Sequence, residues 1–196
     1  MTDMRLDTST MLLSSAFLPV CLDKTEESAR YRQPLSDSEW RETCHRIGGQ
    51  ILELDQQKIQ WLAEQIYLGI LWLDWGMTEY CQLTCSQCED ICCTGREIFF
   101  NQADLLYLMA SNSMSPPIGQ TRSKASAPCR YLGLQGCTLP RTQRPYICVW
   151  FLCEPQIELL NASPALYQRQ VIKTFQHIRT CRLQLEALYE ERFQQG

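Results

Sequence analysis

Apolar positions recur between residues 36 and 76 at the three- and four-residue spacing of one helix face. They are Trp40, Cys44, Ile47, Ile51 and Leu54, then Ile59, Leu62, Ile66, Ile70 and Leu73. Ahead of the run, Ser36-Asp37-Ser38-Glu39 has the form of a capping box, in which a serine hydroxyl and a glutamate satisfy the first orphan amides of a helix. Gly48-Gly49 costs about 1 kcal/mol per glycine inside a helix. That pair predicts either a split into two helices or a close packing contact. Gly76 is the expected C-cap. The second half of the run, with Trp61, Tyr67, Leu68, Leu71, Trp72 and Trp75, is apolar almost all round. Such a helix is expected to be covered by other elements, or by a protein partner along 59–75. On composition Trp40, Trp61, Trp72 and Trp75 read as core rather than as a stacking platform.

Elsewhere the periodicity is weaker. Residues 1–35 carry no sustained period and include a charged stretch from Asp23 to Arg32, which predicts an irregular N-terminal arm. Glu97–Phe100 is short and strand-like, and Asn101 is placed to cap a helix over 102–110. Residues 111–128, rich in Ser and Pro, read as a flexible connection. Gly133, Gly136, Pro140 and Pro145 argue against regular helix over 129–153. Ser163-Pro164 opens a C-terminal helix to about Phe193, with Val171, Phe175, Ile178, Leu185 and Leu188 apolar. The expected fold is mainly α: a long N-terminal helix or helix pair and a C-terminal helix around an irregular, cysteine-rich metal-binding centre with little strand. The expected organisation is the arm, 1–35, followed by a single domain, 36–196, with its cysteine core at 81–153.

Composition changes this picture in one respect. A chain of 196 residues with net charge −4 is long enough for one domain with a real core, and it does not read as a nucleic-acid binder. No apolar run approaches the 18 or more residues needed to span a bilayer. The outlier is cysteine, with 12 residues, nine of them between positions 81 and 153. Redox compartment decides how to read them. Met11–Val20 followed by Cys21 has the outline of an export signal, but Asp3 and Asp7 outweigh Arg5 where such a signal needs positive charge. The expectation is a cytoplasmic protein with reduced thiols, so that clustered cysteines mean metal or catalysis.

The first group reads Cys81-x3-Cys85-x2-Cys88-x3-Cys92-Cys93 and the second Cys129-x7-Cys137-x10-Cys148-x4-Cys153. A Cys-x-x-Cys pair turns two sulfurs toward one point and suits zinc or an iron–sulfur cluster. Adjacent Cys92 and Cys93 point to opposite sides of an extended chain, so they serve two centres, or one of them stays a thiol. Neither group alone makes a comfortable four-ligand site, which predicts that the two groups meet in space. Between Leu105 and Cys153 there is no acidic residue, but there are five basic ones, Arg122, Lys124, Arg130, Arg141 and Arg144. They either offset thiolate charge or form a solvated surface for an acidic partner.

These residues carry a resemblance. Cys85-x-x-Cys88-x-x-x-Cys92-Cys93, then Ile98-Phe-Phe-Asn-Gln-Ala-Asp104-Leu, Cys129-x-x-Leu132, Gly136-Cys137, Arg144-Pro145 and Cys148 resemble the YkgJ-type cysteine-cluster proteins, a zinc- or iron-chelating domain with the signature CxxCxxxCC. The resemblance covers roughly 81–153. It implies metal chelation, in some relatives as iron–sulfur oxidoreductases and in a related domain within flagellin lysine N-methylases. This chain departs from many relatives in having Val149 rather than Arg after Cys148, and in adding Cys153. The ligand pool is Cys85, Cys88, Cys92, Cys93, Cys129, Cys137, Cys148 and Cys153. Its metal is zinc or iron, the latter as an ion or as an iron–sulfur cluster. Soft thiolates suit both.

Three function classes follow: a metal-binding protein, a redox or protein-modifying enzyme, and a thiol switch using Cys92 and Cys93. Cys81-x3-Cys85-x2-Cys88 also matches the radical-SAM spacing, but Gln87 stands where an aromatic is usual, and only 103 residues follow Cys93, against about 200 for a barrel. Cys81 falls outside the family signature and is left open as a ligand. His45 and His177 read as surface residues, and Cys44 and Cys181 as small apolar residues on helices.

Overall fold

A computed structural model describes residues 34–85, 88–89, 93, 98–111, 114–134 and 136–193. The chain is mainly helical with a single small hairpin among the described residues, in agreement with the expected fold class. Cys21, the Met11–Val20 segment and all of the N-terminal arm before Pro34 lie outside the described residues.

The capping box forms as read. Ser36 Oγ accepts from the Glu39 amide, Glu39 accepts from the Ser36 amide, and helix α1 runs Asp37–Ile51. It passes straight through Gly48-Gly49. The break comes later, at 52–55, where the Asp55 side chain accepts the Lys58 amide and starts α2, Gln56–Thr84. Neither Gly48 nor Gly49 is pressed by a neighbour. The pair is tolerated near the helix end rather than required there.

Gly76 is not a C-cap. Helix α2 continues through it for two more turns, to Thr84. The glycine answers to packing, because a Cβ there would run into the Tyr167 hydroxyl. Seven residues earlier, a Cβ on Gly69 would sit 2.8 Å from Ile178 Cγ1. Both contacts come from the last helix, α6, Ala165–Phe193, which lies antiparallel against α2. The two longest helices of the fold thus meet along a glycine-lined seam. The Tyr80 and Ser163 hydroxyls share a hydrogen bond of 2.9 Å at its far end.

Helix α3, Gln102–Ala110, is capped by Asn101, whose side chain accepts the Asp104 amide while Asp104 accepts the Asn101 amide. Eight of its nine residues are buried, because α1, α2 and α6 all pack on it. Phe100, Leu105, Tyr107, Ile66, Ile178 and Tyr189 belong to the common core. Asp104 also accepts from Arg182 on α6, at 2.8 Å, both side chains being buried.

Two expectations fail around α3. Ile98–Phe100 forms no strand. The Gln120 amide side chain takes both the Phe100 N–H, at 2.7 Å, and its carbonyl, at 3.0 Å, while the Thr121 hydroxyl donates to the Ile98 carbonyl. For the same reason the middle of the 111–128 segment is packed rather than loose: Pro117, Gly119, Gln120, Thr121 and Arg122 are buried. The Trp40 indole donates to the Pro117 carbonyl, and the Tyr131 hydroxyl donates to that of Gly119. Glu97 is outside the described residues.

The breaker-rich stretch is short pieces: strands β1, Leu132–Gly133, and β2, Gly136–Cys137, a 3-10 turn at Arg141–Gln143, and α4, Tyr146–Trp150. Gly136 has φ 104°, a backbone that L side chains rarely adopt, which explains the glycine before Cys137. Helix α5, Glu154–Ala162, had no sequence expectation. Trp40 is buried as expected, but Trp61, Trp72 and Trp75 are not: Trp75 keeps 77% of its surface exposed. No helix among the described residues is long and apolar enough to cross a membrane.

Candidate metal centre

The elements above place Cys129, Cys137 and Cys148 on three neighbouring short segments. Cys129 precedes the hairpin, Cys137 sits on β2 opposite Leu132, and Cys148 lies in the first turn of α4. Burial pushes the Cys148 thiol far above the ordinary range, and the Cys137 and Cys129 thiols push it the same way, followed by Asp104, with Arg144 opposing. Burial also raises Cys129, where the Tyr131 amide pulls back, Cys137 raises and Arg122 lowers.

Of the first group, Cys93 reaches the second through the backbone. The Cys129 amide donates to the Cys93 carbonyl at 3.0 Å. Buried Arg122 fastens this junction: its Nη2 donates to the same Cys93 carbonyl at 3.2 Å, and its Nη1 donates to Ala127 at 2.6 Å. Asp104 holds the other side. Its Oδ1 accepts the Tyr146 amide at 3.0 Å, at the start of the helix that carries Cys148, while Arg182 lies over the Tyr146 ring. The motif segments around Asp104 and Arg144-Pro145 thus meet directly.

A separate cluster lies at the end of α2. Because that helix outlasts Gly76, Cys81 stands in its last turn, with Cys85 as its C-cap four residues on, and the Cys85 amide donates to the Cys81 carbonyl. Gln156, buried on α5, donates from Nε2 to Thr84 Oγ1 at 3.2 Å, to Cys81 Sγ at 3.6 Å and to Cys85 Sγ at 3.9 Å. Its Oε1 accepts the Cys153 amide at 3.4 Å. Buried Arg141 pairs with Asp74 at 3.1 Å, donates to Cys81 Sγ at 3.6 Å and to the Cys148 carbonyl at 3.5 Å. Cys88 is exposed beyond the helix end, its amide 3.4 Å from the Cys85 carbonyl. Cys92 lies outside the described residues.

Among the described residues no group of three or more His, Cys, Asp or Glu side chains is closed enough to enclose an ion. The donor chemistry nevertheless fits a soft metal. The Cys129 sulfur is approached by backbone amides from the turn that follows it, and cationic Arg122, Arg141 and Arg144 flank the thiols. His45 and His177 are exposed, far from a ligand role, and Cys181 is buried on α6, as read. Cys44 is half-buried, and burial holds its thiol at about 11. Sequence reasoning missed Arg182 and Gln156, which carry no local pattern; it gave Asp104 only as a motif position and Arg141 only as one of five basic residues set against thiolate charge. No family model matches the chain, and neither a curated protein nor a solved structure matches it significantly.

Proposed function

We propose that this chain is a thiolate metal-binding protein of the YkgJ type, holding zinc or iron, the latter as an ion or as an iron–sulfur cluster. Its ligands come from Cys85, Cys88, Cys92, Cys93, Cys129, Cys137, Cys148 and Cys153. The observation that carries the reading is the junction of the two cysteine groups, where the Cys129 amide donates to the Cys93 carbonyl at 3.0 Å beside the hairpin that carries Cys137. When bound, the metal closes the irregular segment. The chain's own residues orient it: Arg122 fixes the Cys93–Cys129 junction, Asp104 fixes the start of α4, and Arg144 offsets thiolate charge near Cys148. Because thiolates must stay reduced, the reading assigns the protein to the cytoplasm. It assigns a protein partner to the face of α2 that exposes Trp61, Leu68, Trp72 and Trp75.

Metal content and the visible spectrum of anaerobically purified protein test the reading. Near-stoichiometric zinc in a colourless protein, or iron with broad visible absorption, is the expected result. A chain that emerges without metal and takes up neither zinc nor iron on reconstitution under reducing conditions overturns it.

A further inference from the structure

The cluster at the end of α2 lies partly outside that ligand pool, because Cys81 falls outside the CxxCxxxCC signature. Its surroundings are nonetheless built. Two buried side chains on two other segments aim N–H donors at one sulfur: Gln156 Nε2 from α5 and Arg141 Nη2 from the 3-10 turn, each 3.6 Å from Cys81 Sγ. Gln156 reaches Cys85 Sγ at 3.9 Å with the same nitrogen, so the two sulfurs share one donor. Residues four apart on a helix lie on one face, about 5–6 Å between Cβ atoms, a spacing that lets two side chains meet a single ion. The other amide atom of Gln156 holds the Cys153 N–H, which brings a third cysteine to the same residue. Arg141 is held by Asp74 and Gln156 by Thr84 and the Cys153 amide, so both donors reach Cys81 Sγ from side chains fixed on the other side as well.

We propose that Cys81 is a metal ligand, paired with Cys85 on the last turn of α2, and that Gln156 and Arg141 are positioning residues that orient its sulfur. The inference rests on the metal-binding reading and extends it to a cysteine that the CxxCxxxCC signature leaves out. On binding, each thiol gives its proton to solvent and its lone pair to the metal. Donors such as Gln156 then act as the hydrogen-bonding partners that hold a ligand in place, whose loss commonly costs ten- to hundredfold in metal affinity.

The full-length chain, reduced and stripped of metal, is loaded with zinc or with cadmium, and alkylation of each cysteine is followed by mass spectrometry. Cys81 is expected to be protected in the loaded chain and labelled after chelation, with Cys44 labelled equally in both. In Cys81→Ser the thiolate-to-cadmium charge-transfer band should lose intensity. In Gln156→Leu, which keeps every cysteine, release of zinc to a chelator should be about tenfold faster or more, with helical circular dichroism unchanged. Metal binding with Cys81 labelled equally in both states, or with the Cys81→Ser band and the Gln156→Leu release rate both unchanged, overturns this inference and leaves the metal-binding reading standing. No uptake of zinc or cadmium by the wild-type chain overturns both.

Discussion

Asp104 joins three segments with one carboxylate: it caps α3, takes the Tyr146 amide at the start of α4, and pairs with buried Arg182. Replacing it with Asn leaves the Arg182 guanidinium buried without a counter-charge. Breaking such a pair on one side costs about 3–5 kcal/mol, so Asp104→Asn should shift the urea midpoint sharply downward and weaken metal retention through Cys148. A second residue-scale outcome concerns alkali. Burial raises the Cys44 thiol from 9.0 to about 11. A raised acid contributes stability that is complete below its unfolded value and is lost as pH climbs through the folded one. Unfolding free energy should therefore fall between pH 9 and 11, and less steeply in Cys44→Ala; equal slopes would exclude Cys44 as the cause. At this scale the sequence was partly legible. The cysteines announced themselves by type and spacing, and Cys181 read correctly as apolar. Arg182 and Gln156 did not, because a buried polar residue is recognisable only from the partner that satisfies it, and those partners are remote in the chain.

The elements whose ends are set by local chemistry were legible: the Ser36 box of α1, the Asn101 cap of α3 and the span of α6. Those set by packing were not. Gly76 looked like a stop and is a clearance for Tyr167, and Ile98–Phe100 looked like a strand and is satisfied by the Gln120 side chain. The distinction is testable with two glycines. Gly49 has no atom within 4 Å of a built Cβ, so Gly49→Ala should gain up to about 1 kcal/mol from helix propensity alone. Gly69→Ala gains the same propensity but drives a methyl against Ile178, which is fully buried and cannot retreat. Overpacking costs about 1–3 kcal/mol, so this variant should be less stable than wild type by urea unfolding, and Ile178→Val should recover part of the loss.

Across the described residues of the molecule, α1, α2, α3 and α6 share a core dominated by aliphatic and aromatic side chains, whereas Cys129, Cys137 and Cys148 lie on or beside short, breaker-rich pieces. A structural thiolate site is worth about 10–16 kcal/mol of apparent binding, on the scale of a domain's whole stability. Chelation should therefore leave most of the helical circular dichroism in place while new protease cuts appear between Ser111 and Cys153, beginning in exposed 123–126. An unchanged digestion pattern would argue against a structural metal. The buried Gln120–Phe100 contact carries a different consequence. Ile98-Phe99-Phe100 is apolar and β-prone, a composition that favours pairing with a second chain wherever its backbone groups are left open. Gln120 occupies the amide and carbonyl of Phe100, and Thr121 takes the Ile98 carbonyl, so the template is blocked by side chains of the same chain. A chain carrying Gln120→Ala should scatter light on mild heating at concentrations where wild type stays clear, before its helices melt.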